Sequence, residues 1–278
     1  MRAFPEFRLS PAASSIAVPQ ENAERWAAGD PAGVSVAGWQ AGDQPKVYIP
    51  DLALYVYDTE TNVVSAGVVS SSIRDDDVLD AYFGFVLPLF LQSEGAEVLH
   101  ASAVLAGRDV VALCGRSGTG KSTLATSLMQ RGYGIWADDA VVWTASKAGA
   151  ITFPLPFRRR AANAGARAPA QSAGSHPRAL KAVLVLERVE NAEESGEVVI
   201  GPVQAASALK SVLPHAYAFS LSDERRRRDF VSRYVHLAAT VPVVRVRFHH
   251  DLRRLGSLRD TCERVLDSIC AGGAVLAS

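Results

Sequence analysis

Apolar positions in the first part of this chain recur in short runs that suit strands, and after residue 95 strand-like runs alternate with helical ones. Gly33–Trp39, Lys46–Ile49, Ala53–Tyr57 and Val63–Val69 are separated by the Gly, Asp, Pro and Asn that turns select, and Asp58–Asn62 is placed as a hairpin connection. Residues 1–32, rich in Ala, Pro and Ser, predict loosely structured chain with one short strand around Phe7. Tyr48, Tyr55 and Tyr57 alternate in places, which suits either a binding sheet or, more simply, core and cross-strand packing. Asp75-Asp76-Asp77 precede the helical pattern Val78–Leu91, where acidic side chains favour a helix N-terminus; as consecutive residues they diverge and make no metal site.

In the second part, Val110–Cys114 is continuously apolar and predicts a buried strand. Lys121–Arg131 predicts a helix with Leu124, Ala125, Leu128 and Met129 on one face and Gly132 as its left-handed stop. The apolar strand Tyr133–Ala137 runs into Asp138-Asp139 and continues as Ala140–Trp143. Ser146–Pro156 reads as a hairpin or strand. Phe157-Arg158-Arg159-Arg160 and the Ala-, Gly-, Pro- and Ser-rich stretch to Pro177 predict a flexible loop at about 157–178. Its arginines suit phosphate or an acidic substrate segment, and equally a solvated face. Leu180–Leu186 and Val198–Gly201 predict strands, and the helix Gln204–Leu213 stops at Pro214. Ser222-Asp223-Glu224-Arg225 opens a helix to about Ala239 that carries Arg225–Arg228 on its wet face. In Pro242–Phe248, Val244 and Val246 share one face and Arg245 and Arg247 the other, which predicts a half-exposed edge strand. His249-His250 has no partners at metal spacing, and Leu258–Cys270 closes the chain as an amphipathic helix.

Composition narrows the class. The 278 residues are 48% hydrophobic and 21% charged, enough for one sizeable core or two modest ones. Twenty-nine basic residues balance twenty-nine acidic ones, so no general field draws in nucleic acid or an acidic membrane. The 3 cysteines, Cys114, Cys262 and Cys270, lack metal or redox spacing and suit a reducing cytoplasm. The N-terminus lacks the apolar segment of a signal peptide, and Ala81–Leu91, interrupted by Pro88, is too short to cross a bilayer. The expectation is a soluble cytoplasmic protein.

The chemistry concentrates in Gly115-Arg116-Ser117-Gly118-Thr119-Gly120-Lys121-Ser122, which matches G-x-x-x-x-G-K-[ST] at every fixed position, and the dinucleotide spacing G-x-G-x-x-G is absent. Gly115, Gly118 and Gly120 let the loop turn its amides toward phosphate oxygens. Gly115, Ser117, Gly118, Thr119, Gly120, Lys121, Ser122 and Thr123 then form the nucleotide cradle. Lys121 supplies charge for the outer phosphates, Ser122 a hydroxyl for Mg²⁺, and the following helix its N-terminus. A strand after that helix returns parallel to the first and carries Asp138 and Asp139 toward the phosphates. Carboxylates there hold Mg²⁺ or accept the proton of an attacking hydroxyl, and neighbours on one strand face opposite ways, so the two have different roles. His100, on the strand before the loop strand, is either a satisfied core or edge histidine or a group that hydrogen-bonds and orients an aspartate.

Val98-Leu99-His100-Ala101-Ser102-Ala103-Val104, the loop Gly115–Ser122, and Arg131-Gly132-Tyr133 followed by Ala137-Asp138-Asp139 resemble the catalytic domain of HPr kinase/phosphorylase and its wider family of P-loop serine kinases. The resemblance covers residues 97–143. It implies an α/β P-loop kinase of the HPr-kinase/PEP-carboxykinase-like type, a mixed sheet with flanking helices and a β-rich N-terminal part. The domains expected are that part at 1–95 and the nucleotide-binding kinase core at 96–278. It further implies His100 as the active-site histidine, Asp139 as the proton acceptor and Ser122 as a Mg²⁺ ligand. The residues themselves place Asp138 beside Ser122 as a second Mg²⁺ ligand, and His100, Lys121, Asp138 and Asp139 are the expected catalytic set. The bifunctional enzyme's Gly-rich signature after the Asp pair is absent. Leu99-His100-Ala101-Ser102, with Val241-Pro242-Val243 leading to Asp251-Leu252, is more similar to the smaller relatives, some of which accompany lasso-peptide and other ribosomal-peptide biosynthesis. The expected activity is ATP- and Mg²⁺-dependent phosphoryl transfer to a serine hydroxyl of a peptide or protein. A small-molecule (amino acid) kinase and a P-loop ATPase or switch are the alternatives. No nucleic acid or membrane partner is expected, and a homo-oligomer stays open.

Overall fold

The β-type alternation of the first part is realised as a six-stranded sheet. The structure is a computed structural model that describes residues 6–10, 25–29, 36–41, 44–160, 167–189, 198–218, 224–249 and 255–271. It divides into two compact units, one of Met1–Gly95, Arg160–Ala168 and Tyr217–Arg227, the other of Ala96–Arg159, Pro169–Ala216 and Arg228–Ser278. The start of the run expected at Gly33, the cap at Ser222-Asp223, residues 161–166 of the expected loop, and His250 to Leu252 lie outside the described residues.

In the first unit the strands are β1 (Glu6–Ser10), β2 (Arg25–Gly29), β3 (Val36–Ala41), β4 (Gln44–Ile49), β5 (Ala53–Asp58) and β6 (Val63–Val68), in the order β1-β6-β5-β4-β3-β2. Among the described residues of this sheet only the β1–β6 pairing is parallel. Val47, Ile49, Tyr55, Tyr57, Val64 and Ala66 form the buried face, so Tyr55 and Tyr57 serve the core while Tyr48 lies half-buried on the other face, and Tyr55 donates its hydroxyl to the Val78 carbonyl at 2.9 Å. The β5–β6 hairpin turns on Asp58, whose carboxylate accepts from the amides of Glu60 and Thr61. β2 corrects the expectation that residues 1–32 hold one strand only; its Arg-Trp-Ala-Ala-Gly has no alternation to reveal it.

The helical pattern that follows is interrupted. It runs as α1 (Asp75–Ala81), a π-turn at Tyr82–Val86 and α2 (Leu87–Ser93). Pro88 supplies no amide and its ring clashes with the carbonyl four residues earlier, so the helix widens before it. The carbonyl left over is that of Gly84, and the Tyr217 hydroxyl donates to it at 2.8 Å.

The second unit is a mixed α/β structure on a nine-stranded sheet. Its elements are β7 (Glu97–Leu99), β8 (Ala101–Ala106), β9 (Asp109–Cys114), α3 (Lys121–Met129), β10 (Gly134–Ala137), β11 (Val141–Ser146) and β12 (Gly149–Thr152). Then come the two-stranded ribbon β13 (Phe157–Arg160) and β14 (Arg167–Ala170), whose residues from Arg160 to Ala168 count with the first unit, and β15 (Arg178–Val189), β16 (Val199–Pro202), α4 (Ala205–Val212), α5 (Glu224–Thr240, in this unit from Arg228 on), β17 (Val243–His249) and α6 (Leu255–Cys270). One arm of the sheet runs β10-β8-β9-β15-β17-β16; the other, β7-β11-β12, joins it where β12 pairs with Arg178 and Ala179 of β15. β9, β15 and β17 are parallel, and β9, flanked on both edges, is buried from its second residue on. Leu124, Ala125 and Leu128 of α3 and Leu258, Cys262 and Leu266 of α6 close one core with Val111, Leu113, Leu184 and Val246.

Five expectations change here. β17 is not an edge strand, because β15 and β16 pair with both its sides. Its alternation records one polar face, where Arg245 meets Glu187 at 3.0 Å, and a half-exposed face gives the same period as an edge. Met129 is exposed instead of sharing the buried face of α3, and Arg158 is buried, which removes it from a solvated face. The expected flexible stretch has described structure at its C-terminal end: the Ala173 amide bonds the Ile135 carbonyl at 2.8 Å, and Gly174 lies against Trp136. The strand through Asp138-Asp139 is two strands, broken at the aspartates. Among the described residues no helix is long and apolar enough to cross a membrane.

A Cβ on Gly174 would stand 2.5 Å from the Trp136 ring. Gly174→Ala should therefore destabilise the protein by about 1–3 kcal/mol, the usual cost of overpacking, measured as a lower urea midpoint with an unchanged slope. An unchanged midpoint would mean that this segment does not pack on β10.

Candidate functional site

The site lies where two neighbouring strands change partners together. The β10–β8 pairing reaches Ala137 opposite Ala103, and the β11–β7 pairing resumes with Val141 opposite Leu99. Asp138, Asp139 and His100 occupy the gap. At this fork the backbone leaves regular pleating, and Asp139 takes a left-handed conformation with φ 68, which aspartate tolerates better than most residues. The two aspartates thus diverge through a break and not through the pleat of one strand. The His100 amide, left without a ladder partner, donates to the His215 carbonyl at 2.7 Å, and Leu99 forms an isolated bridge with Ala216.

The loop from Gly115 to Gly120 leads from β9 into α3. Gly118 and Gly120 have φ 77 and 102, a region where a side chain would be strained. Thr119 is buried, Ser117 and Gly118 are exposed, and Thr123 is exposed on the first turn of α3. Lys121, the first residue of α3, is only 6% exposed. Its ammonium turns back into the loop, donating to the Gly115 carbonyl at 2.9 Å and approaching that of Arg116 at 3.5 Å, with His100 Nε2 at 3.2 Å.

That contact assigns the histidine tautomer. Lys121 has only protons to offer, so Nε2 accepts and Nδ1 carries the hydrogen, which it donates to the Asp139 carbonyl at 3.1 Å. His100 therefore grips Asp139 through its backbone, where the sequence had led us to expect a hold on its carboxylate. Burial, then the Lys121 charge, pushes the His100 pKa down, against the pull of Asp139. Burial also lowers that of Lys121, against Asp139, Cys114 and Asp138. The imidazole is neutral at neutral pH, with its one basic nitrogen held by the ammonium.

Asp138 faces the start of α3. Its Oδ1 accepts from Ser122 Oγ at 2.8 Å and from Ser102 Oγ at 2.6 Å, the two hydroxyls being 3.5 Å apart. Mg²⁺ takes few protein ligands and keeps water and phosphate oxygens around it. A serine hydroxyl and one carboxylate touching each other beside a glycine-rich loop are a donor set that fits such an ion. A cage of three His, Cys, Asp or Glu side chains does not occur among the described residues.

The residues expected from sequence are thus brought together as two contacting groups, Lys121–His100–Asp139 and Ser122–Asp138. Two further members were not assigned from sequence. Ser102 is fully buried, and a hydroxyl inside the apolar run Ala101–Ala106 was the available signal, since such a group needs a partner. His215 ends a single 3-10 turn, Leu213–His215, far along the chain, and nothing local in sequence ties it to His100.

His215 yields a test of this geometry. Burial first, then the charges of Lys121 and His100, lowers its pKa from 6.5 to about 4. Between those values the unfolded chain binds a proton that the folded chain excludes, so stability falls as the pH drops from 6.5 to about 4. The urea midpoint should decline across that window, and less steeply in His215→Asn. Equal slopes would place the acid sensitivity elsewhere.

No protein-family model matches the chain. No curated protein matches it either. Among solved structures, the chain is similar to the HPr(Ser) kinase/phosphatase from Coxiella burnetii, with 13% sequence identity and a TM-score of 0.34 over 60% of this chain and 95% of that one. At that TM-score the likeness carries nothing about activity.

Proposed function

We propose that this protein binds ATP with Mg²⁺ and transfers the terminal phosphoryl group to a hydroxyl, a serine of a peptide or protein acceptor. The observation that carries the reading is the pair of contacts on either side of one helix start: Lys121 to His100, which holds Asp139, and Ser122 to Asp138. A triphosphate in the glycine-rich loop would meet loop amides, the Lys121 ammonium and the N-terminus of α3. Ser122 and Asp138 would hold Mg²⁺, which supplies charge neutralisation on the phosphates. In the transfer, the acceptor oxygen forms its bond to the γ-phosphorus as the bond to the leaving ADP oxygen breaks. The hydroxyl proton passes to the Asp139 carboxylate. His100 fixes the backbone of Asp139, and Ser102 keeps Asp138 aimed when Ser122 turns to the ion.

The acceptor class follows from the sequence resemblance, and Leu99-His100-Ala101-Ser102 favours a serine in a ribosomally made, lasso-type precursor peptide. The reducing cytoplasm suits this chemistry and the free, buried thiols of Cys114 and Cys262.

Mass spectrometry after incubation with ATP, Mg²⁺ and free serine, serine-containing peptides or a small carrier protein tests the reading. A gain of one phosphate or more on one acceptor is expected. Asp139→Asn should lower the rate by about 10²–10⁴-fold, the typical share of a positioned base, with ATP affinity nearly unchanged. ADP formation without an acceptor would replace this reading with an ATPase or switch.

A further inference from the structure

Arg188 is a charged residue beside the loop that the proposed chemistry has not used. β15 runs parallel to β9, with Leu184 opposite Leu113 and Val185 opposite Cys114, so the next residues of β15 pass the end of β9 alongside the loop. Leu186 holds the loop entry: its carbonyl lies 3.1 Å from where a Cβ on Gly115 would stand. Leu186 also belongs to the core shared with α3, and by strand periodicity Arg188 lies on that same side of the sheet. Glu187, on the opposite side, is taken by Arg245 at 3.0 Å. The exposed Arg188 side chain reaches over the loop, and its Nη2 donates to the Gly118 carbonyl at 2.8 Å. No carboxylate among the described residues pairs with it.

We infer that Arg188 is a phosphate-binding residue of this site, tethered through one donor to the Gly118 carbonyl and presenting its remaining donors to the terminal phosphate of a bound triphosphate. The inference rests on the nucleotide-binding reading above. A planar guanidinium matches phosphate oxygens in pairs, which an ammonium does not. Its position complements Lys121. The ammonium is buried beneath the loop, bonded to the Gly115 carbonyl, whereas the guanidinium is exposed at the loop's tip. A terminal phosphate held between them would have its charge met from both sides, the requirement of a loose phosphoryl-transfer transition state.

The test separates a phosphate contact from a merely structural clasp. Arg188→Gln keeps an N–H for the Gly118 carbonyl and removes the charge and the fork, and Arg188→Ala removes all three. Calorimetric titration with Mg·ATP and Mg·ADP should show both variants binding ATP about tenfold more weakly, as one lost charged contact costs. ADP affinity should stay within about twofold and melting temperatures should be unchanged. Wild-type ATP affinity in Arg188→Gln, or equal losses for ATP and ADP, would overturn the inference and leave nucleotide binding standing. A wild-type protein that binds neither nucleotide would overturn both.

Discussion

A buried ammonium is the constraint around which the second unit is arranged. Taking a cation out of water costs several kcal/mol unless hydrogen bonds and opposite charge replace the solvent. Lys121, 6% exposed, meets that demand with the Gly115 carbonyl, with His100 Nε2, and with the negative charge of Asp138 and Asp139 nearby. Each partner restricts something else. The carbonyl requires the loop to curl back over its own lysine. The imidazole requires a neutral ring protonated on Nδ1, and that proton then fixes Asp139 through its backbone. Phosphate oxygens arriving in the loop would take over the role that the carbonyl and imidazole now play.

The fold makes this arrangement possible by forking. Had β7 and β8, or β10 and β11, been continuous, His100 and the aspartates would have been ladder residues with their backbone groups spent on neighbouring strands. Because both pairs change partners at one place, the backbone there is available for partners outside the ladder: the Asp139 carbonyl for the His100 ring, and the His100 amide for the His215 carbonyl. The parallel strands β9, β15 and β17 bring their C-terminal ends to the same edge, where ligands of open α/β sheets bind. Fold and chemistry meet at that edge.

What was legible in the sequence was local. Gly115–Ser122, the apolar run before it and the capped helix after it carry their signals within a few residues, and β9 and α3 follow them. The break at Asp138-Asp139 was illegible because the flanking runs are both apolar and β-like, and what separates them is their choice of partners. The π-turn needed Pro88 to be weighed against the carbonyl of Gly84, which a helical pattern ignores. β17 shows the ambiguity of alternation, since a polar face and a polar edge look alike. Ser102, Arg188 and His215 matter through contacts made across long stretches of chain, and only His100 was singled out by its neighbours. His100 lies among the residues expected beside it, yet its hydrogen bond goes to a backbone carbonyl, a target that no sequence pattern encodes.

The most direct experiment is to titrate ATP, with and without Mg²⁺, into the wild-type protein and Lys121→Met, which removes the ammonium while keeping an apolar stem of similar length. If the loop is a phosphate cradle, the wild type binds with a clear Mg²⁺ requirement and the variant, still folded, binds roughly a hundredfold more weakly. Equal ATP affinity in the two proteins would contradict that, and would make Lys121 a structural cation that only holds the loop closed.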